Sequence, residues 1–251
     1  GVFIHIANVT EGTVIKGQPA KLEVSHSRRF TIRANHSATH LLHEALRRTL
    51  GDHVAQRGSL NAADRLRFDF SHSAAISGPD LATIEAEVNA FIRQNSPVDT
   101  RIMTPDDARA IGAQALFGEK YGDTVRVVSV GDWARELCGG THTERSGQLG
   151  VVKLLGESSI GSGVRRVEAL VGTDAYQFLA REHVIVAQLT EALKARPEEL
   201  PSRVNDIVEK LRSAEKELER VRVGQLLAGG AALANAALVI NGVNVVAQAD
   251  S

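Results

Sequence analysis

Cys, which can cross-link a fold, and Pro, which stiffens the backbone, are scarce in this sequence. Its 251 residues include 1 Cys and 6 Pro, and also only 1 Trp and 1 Met. One Cys cannot form a disulfide within the chain, so packing must stabilise the fold, as suits a reducing cytoplasm. The content of 43% hydrophobic and 24% charged residues argues against a disordered tail and predicts a globular protein with one or two cores.

An excess of one charge sign is also absent. The 29 Lys and Arg residues nearly balance the 30 Asp and Glu residues, and the formal net charge is −1. This balance argues against binding nucleic acid over the whole surface. We therefore expect no DNA binding, and only local basic patches for contact with RNA.

Long hydrophobic runs are missing as well. The apolar segment 226–240 is shorter than the ~20 residues that a membrane span needs, and Gly229, Gly230 and Asn235 interrupt it. We expect the end of a helix and a loop there, and no membrane association.

The two ends of the sequence predict a piece of a longer protein. The start, GVFIHIANV, has neither a Met nor the pattern of a secretory signal. Near the other end, Asn241-Gly242 lies between apolar β-branched runs and predicts a hairpin. We expect that the sequence stops within a further domain.

The mixture of strands and helices, without regular alternation, predicts an α+β fold with a largely antiparallel sheet and packed helices. A helix beginning near Arg28 is expected to end at Gly51, a typical C-terminal cap. Leu66, Phe68 and Phe70 alternate with charged residues, which predicts a strand with one buried face. The expected strands are 2–25 (several short ones), 53–60, 65–72, 98–103, 124–130, 149–157 and 163–172, and further helices are expected at 79–94 and 104–112.

From about residue 174 the pattern becomes helical. Apolar residues recur at alternating spacings of four and three, which predicts a coiled-coil seam. The 7 acidic and 6 basic residues between 198 and 222 favour a solvated helical spacer over a nucleic-acid-binding arm. The seam consists of Leu200, Val204, Ile207, Leu211, Ala214, Leu218 and Val221.

The single Cys lies in the segment CGGTH, and a second segment, NHSATHLLH, holds three histidines. On a helix, His36 and His40 share a face, and so do His40 and His43, so spacing leaves open which pair acts together. Two helical histidines with Cys138 and His142 would supply the N and S donors that zinc favours. Each half alone has a simpler explanation, chance spacing or a small core Cys. Their occurrence together favours a shared zinc site.

Known catalytic zinc motifs do not match these segments. Ser37 stands where the Glu of HExxH would be, and the deaminase signature is absent. Four protein ligands would close a tetrahedral shell, as in structural sites, unless water or a substrate hydroxyl replaces one ligand. The sequence offers no obvious catalytic carboxylate.

Four segments, in this order, resemble the editing domain of bacterial alanyl-tRNA synthetase: NHSATHLLHEALRRTLGDHVAQRGSL, RLRFDFSH, ELCGGTHTERSGQLG and SSIGSGVRRVEALVG. The similarity extends over nearly the whole sequence. The editing domain of threonyl-tRNA synthetase is related, but its loop typically has Pro before the second histidine, where this chain has Thr141. Nothing here resembles the aminoacylation domain that uses ATP and Mg²⁺, so we expect no charging of tRNA by this chain.

The resemblance implies four regions. They are the remnant of a preceding β-barrel domain at 1–27, the editing (deacylase) domain at 28–173, a helical coiled-coil segment at 174–228, and the truncated start of the C-terminal domain at 229–251.

The resemblance also implies a reaction. A site built for alanine rejects glycine, which lacks one methyl group, by only about 1–3 kcal/mol, and a pocket cannot strongly reject serine either. The family therefore hydrolyses the ester of Ser-tRNA(Ala) or Gly-tRNA(Ala) to free amino acid and tRNA. By the same resemblance, one Zn²⁺ per chain is held by His36, His40, Cys138 and His142, which leaves His43 a supporting or packing role.

Further site residues follow from the resemblance. Gln56 matches a position associated with editing, where an amide would hold water or the seryl group. Thr39 would hydrogen-bond the serine hydroxyl, although a helical Thr also bonds its own backbone. Arg165 and Arg166 would contact the tRNA acceptor end, but alternation along a strand lets only one of them face it.

The partner implied is tRNA(Ala), especially its aminoacylated 3′ end, and the helical segment allows a homodimer. Two alternatives remain open. One is a non-catalytic, zinc-stabilised module for tRNA binding or dimerisation. The other is a free-standing trans-editing protein.

Overall fold

The structure, a computed structural model, describes residues 4–114 and 122–246. They divide into two compact units, with the boundary between Leu179 and Ala180. The extreme ends of the expected β-barrel remnant and of the expected C-terminal domain lie outside the described residues.

The first unit combines antiparallel sheets with packed helices, as expected. Its elements are α1 (His26–Leu50), β1 (Gln56–Asn61), β2 (Leu66–Ser71), α2 (Gly78–Arg93), β3 (Val98–Met103), α3 (Pro105–Ala110), β4 (Val125–Val130), β5 (Ala134–Leu137), β6 (Val152–Gly161) and β7 (Val164–Val171). Helix α4 (Thr173–Leu193) begins in this unit and ends in the second.

Two sheets build the first unit, and every strand pair in them is antiparallel. One sheet has the order β1-β2-β7-β6 and the other β3-β4-β5. Helices α1 and α2 pack against each other and against the four-stranded sheet. The main core fills this interface, because the apolar faces of both helices and of the sheet can be buried only there.

Local sequence explains the helix limits. The Ser77 hydroxyl accepts a hydrogen bond from the backbone N–H of Asp80, and Thr104 caps α3 through Asp107 in the same way. Gly51 is the C-cap of α1, with φ at +114°, where a side chain would be strained.

The alternation expected in β2 is present, with one exception among its charged residues. Leu66, Phe68 and Phe70 are fully buried. Asp69 is buried as well, because Arg166 on the neighbouring strand β7 binds its carboxylate with two hydrogen bonds.

The strands expected within 2–25 are wrong for the described residues 4–25. This segment contains no strand, and Ile4 and Ile6 are 85% and 99% exposed. A strand requires a neighbour that pairs with its backbone N–H and C=O groups. No described strand pairs with this segment, and α1 begins at His26, two residues before the expected start.

The second unit contains α5 (Leu200–Asn235) and the hairpin of β8 (Leu238–Ile240) and β9 (Val243–Val245). The expected hairpin is confirmed, and Asn241 and Gly242 both have positive φ, as its two-residue turn requires. The helix end expected within 226–240 is confirmed, since α5 continues through Gly229 and Gly230 and ends at Asn235.

The coiled coil itself stays a prediction. The seam residues Val204, Ile207 and Leu211 are 46%, 44% and 58% exposed. No helix in the described parts of the chain has the length and hydrophobicity that a bilayer span requires.

Candidate metal centre

Two elements distant in sequence deliver the histidines and the Cys to one place. The buried side of α1 carries His40 and His43, and His36 lies one turn before them, half-buried. Cys138 directly follows β5, the strand that sequence patterns did not predict. Backbone pairing of β5 with β4 brings the CGGTH loop against α1.

Four donor groups converge there. One ligand atom from each of His36, His40, Cys138 and His142 lies within 4.8 Å of all the others. The Cys138 sulfur lies 3.4 Å from Nε2 of His36 and 3.4 Å from Nε2 of His142. His43, which spacing had left as an alternative ligand, is not in this group.

These donors fit a zinc ion. Tetrahedral zinc has bonds of about 2.0–2.3 Å, which place its donor atoms roughly 3.3–3.8 Å apart. In addition, Nε2 of His40 is buried and has no hydrogen-bond partner among the described residues. An unpaired buried nitrogen is costly, and a metal ion would satisfy it.

The electrostatics favour a thiolate at Cys138. Burial raises the pKa of its thiol, but hydrogen bonds with His142 and His36 and the nearby His40 outweigh burial and lower this pKa to about 3. Burial likewise disfavours a charged His40, but Glu136 and the thiolate raise the pKa of His40 to about 10. A thiolate is the form of Cys that binds metal.

Glu136 is the most prominent site residue that sequence patterns missed. Its carboxylate lies 2.6 Å from Nδ1 of His40 and 2.8 Å from Nδ1 of His43. Burial disfavours its charge, but the two histidines hold its pKa well below the usual range. The expectation of a site without an obvious catalytic carboxylate stays a prediction, because both carboxylate oxygens of Glu136 are engaged by histidines. Knowledge of β5 would have revealed Glu136, since residues two apart on an extended chain share a side.

Further hydrogen bonds hold the CGGTH loop, which carries Cys138 and His142. Ser37 lies 3.3 Å from Nδ1 of His142 and accepts a hydrogen bond from the backbone N–H of Thr143. Arg126 on β4 donates to the carbonyl oxygens of Cys138 and Gly140 at 2.7 Å each. Both contacts restrict the conformation of the CGGTH loop.

A cavity of about 480 Å³ opens beside the donors. Thr39 and Gln56, the two residues expected to act on substrate, both lie in its wall. The Thr39 hydroxyl donates to Oδ1 of Asn61 at 2.7 Å, with the Asn35 carbonyl oxygen at 3.0 Å. The wall also includes His36, His40, His43, Arg47, Ser59, Arg126, Glu136 and Cys138.

Arg165 and Arg166 do not belong to this cavity wall. They lie on β7, where Arg165 forms an ion pair with Glu157 and Arg166 binds Asp69 through two hydrogen bonds of 2.7 and 2.9 Å. The Arg166 side chain is 29% exposed and that of Arg165 13%.

Comparison with known proteins identifies relatives of this chain. The family model described as the threonyl and alanyl tRNA synthetase second additional domain matches residues 125–168, from β4 into β7. The alanine–tRNA ligase of Nocardioides sp. is 59% identical over 248 residues, which are 99% of this chain and 28% of that protein. Those of Cereibacter sphaeroides (strain ATCC 17025) and Frankia alni are 56% and 53% identical over 99% and 98% of this chain, and 29% and 28% of their own length. The chain thus spans less than a third of the length of these relatives. Over that segment, it belongs to the alanyl-tRNA synthetase family.

Proposed function

We propose that this chain is an editing deacylase, which hydrolyses the ester bond of mischarged Ser-tRNA(Ala) and Gly-tRNA(Ala) to free amino acid and intact tRNA. One observation carries the proposal. The convergent group of three histidines and Cys138 lies in the wall of a cavity that also presents Thr39 and Gln56. Such a cavity is large enough for the aminoacyl end of a tRNA.

One Zn²⁺ per chain is the metal that the donors suit, held by His36, His40, Cys138 and His142. When bound, zinc supplies a positive charge and fixes the shape of this part of the wall. With all four of these side chains as ligands, zinc would keep no open position for water, and positioning of the ester and water would then be the task of the neighbouring side chains.

Thr39 and Gln56 are the proposed positioning groups. Because the Thr39 hydroxyl donates its proton to Asn61, its oxygen is left to accept a hydrogen bond from the seryl hydroxyl. Gln56 makes only a long contact of 3.5 Å with Ser59, so its amide is available to hold a water. An aminoacyl ester is intrinsically labile, and orientation of water with stabilisation of the developing oxyanion accounts for hydrolysis without a strong base.

The biological need for this activity follows from binding energetics. A single aminoacylation site distinguishes alanine from glycine by only about 1–3 kcal/mol, which corresponds to errors that a second, hydrolytic site must remove.

The tRNA is proposed to approach along β7. Of the two arginines there, Arg166 is the more exposed, and we assign it the contact with a backbone phosphate. The remaining organisation is also proposed from the family resemblance: a deacylase domain at 28–173, a helical segment at 174–228 that pairs with a second copy as a coiled coil, and a cytoplasmic location.

The decisive experiment measures hydrolysis of Ser-tRNA(Ala), Gly-tRNA(Ala) and Ala-tRNA(Ala), together with the zinc content of the same sample. We expect loss of the seryl and glycyl esters, persistence of the alanyl ester and about one zinc per chain. Cys138→Ala should abolish both zinc binding and hydrolysis. His183→Gln, which changes an exposed histidine of α4, is the matched control and should leave both unchanged.

A full complement of zinc without hydrolysis would contradict the proposal. That result would favour the non-catalytic alternative, in which the metal shapes a surface that binds the tRNA end.

A further inference from the structure

Glu136 joins one histidine of the metal group to a histidine outside it. Its Oε2 lies 2.6 Å from Nδ1 of His40, and its Oε1 lies 2.8 Å from Nδ1 of His43. The carboxylate side chain is 9% exposed, and each histidine side chain is 7% exposed. These two hydrogen bonds are therefore largely shielded from water.

This sharing fixes the tautomer of both rings. An ionised carboxylate only accepts hydrogen bonds, so both Nδ1 atoms must carry protons and donate them. In a neutral imidazole the proton on Nδ1 leaves a lone pair on Nε2. A metal ion bound at Nε2 of His40 would replace the proton that this nitrogen holds in the metal-free site. In the neutral form of His43, the same tautomer makes Nε2 an acceptor.

The acceptor nitrogen of His43 has no assigned partner. Its Nε2 is buried and makes no hydrogen bond with any described residue. The ring is fixed on one side by Phe68, whose centroid is 5.0 Å away, and the residue borders the cavity that holds Thr39 and Gln56. A buried acceptor without a donor is costly, and a wall position allows a bound molecule to supply that donor.

We propose that Glu136 is a positioning residue for both histidines, and that Nε2 of His43 accepts a hydrogen bond from an N–H or O–H group at the bound aminoacyl end. The identity of this ligand rests on the function proposed above. The placement of His43 by Glu136 does not.

The donor is either particular to serine or common to both substrates. The seryl hydroxyl, which would then not donate to Thr39, occurs only in the serine substrate, whereas the α-ammonium group and the ribose 2′-hydroxyl are common to seryl and glycyl esters. Stable amide analogues of the 3′ end, 3′-deoxy-3′-(serylamino)adenosine and its glycyl counterpart, distinguish these sources because both bind without being hydrolysed.

Three variants separate the contacts. His43→Asn keeps an N–H group near the position of Nδ1, so it can still donate to Glu136, but it removes Nε2. His43→Gln places an amide oxygen or nitrogen near the position of Nε2. Glu136→Gln keeps the side-chain size but leaves only one acceptor oxygen for two Nδ1–H groups.

Zinc affinity and analogue affinity are measured for each variant of the 251-residue chain. Glu136→Gln should weaken zinc binding about 10- to 100-fold, as is typical when the partner of a ligating histidine is lost. His43→Asn should bind zinc within about threefold of the parent but bind the seryl analogue at least about tenfold more weakly, the usual effect of one lost hydrogen bond to a charged or buried group. His43→Gln should recover part of that loss. An effect on the seryl analogue alone identifies the seryl hydroxyl as the donor, and an effect on both analogues identifies a donor that they share, the ammonium group, the ribose 2′-hydroxyl or the amide N–H.

The imidazole N–H signals in proton NMR spectra give a readout that does not involve ligand. The Nδ1–H signals of His40 and His43, which both donate to Glu136, are expected in the zinc-loaded parent, and the signal of His43 should disappear in His43→Asn. Unchanged zinc affinity in Glu136→Gln, or unchanged affinity for both analogues in His43→Asn, would overturn the corresponding half of the proposal. Tight binding of an analogue by a chain that hydrolyses no ester would refute the deacylase function alone, because the contact with His43 would still be present.

Discussion

The hydroxyl oxygen of Ser37 lies 3.3 Å from Nδ1 of His142, although 105 positions separate the two residues. Ser37 has no exposed surface. It also accepts hydrogen bonds from the backbone N–H and the hydroxyl of Thr143. Ser37, which lies on α1 and is not in the metal group, therefore orients His142, the histidine that the CGGTH loop contributes to that group.

Replacement of this hydroxyl tests its role. Ser37→Ala leaves the buried N–H of Thr143 without its acceptor, and we expect the free energy of unfolding to fall by about 1–3 kcal/mol. Zinc affinity should fall at least about tenfold, because His142 loses its orienting partner. Urea denaturation and a zinc competition assay measure the two effects. Ser27→Ala, at an exposed position of the same helix, is the control, and an equal response of both variants would exclude a specific role for Ser37.

The two adjacent glycines of the loop should respond differently to the same substitution. A Cβ on Gly140 would lie 2.2 Å from Cε1 of His36, whereas a Cβ on Gly139 would have no atom within 4 Å. Gly140→Ala should therefore displace His36, weaken zinc binding and cost about 1–3 kcal/mol of stability. Gly139→Ala should leave zinc binding unchanged. Zinc titration of both variants decides the matter, and equal affinities would show that His36 can move away at no cost.

Core packing should dominate the stability of the first unit. Phe70 on β2 is fully buried, whereas Phe30 on α1 is 46% exposed. We expect Phe70→Ala to lower the free energy of unfolding by about 3–5 kcal/mol through lost contacts and a cavity. Phe30→Ala should cost about 1 kcal/mol or less, because much of its ring already contacts water. Denaturant unfolding of both variants gives the difference, and similar losses would contradict the position assigned to this core.

Helical spacing carried much of the information about the site. His36 and His40 lie four residues apart, so any helix at this position brings both rings to one side, and the spacing alone predicts this. The choice of His36 over His43 required the other half of the site. This choice depends on the direction from which Cys138 approaches α1. The family resemblance, not the spacing, indicated which histidine is the ligand.

Long-range pairing was the part that local patterns could not provide. Strand β5 is only four residues long, too short to show a periodic pattern, and Glu136 within it was missed for that reason. Conversely, the apolar residues of 4–25 resemble strands but have no partner among the described strands. Asp69 was expected to follow the alternation of β2, but its ion pair with Arg166 allows it to be buried.

The contact proposed between β7 and tRNA gives a prediction about salt. If Arg166 binds a phosphate, its replacement in Arg166→Gln removes one counterion-releasing contact. The slope of log affinity for tRNA(Ala) against log salt concentration should then become less steep by about 1. Arg165→Gln should leave this slope unchanged, because Arg165 is only 13% exposed and is held by Glu157. The melting temperature of each variant shows that the fold persists, since Arg166→Gln also leaves the buried Asp69 without its main partner. Equal slopes for the parent and both variants would place the tRNA on another surface.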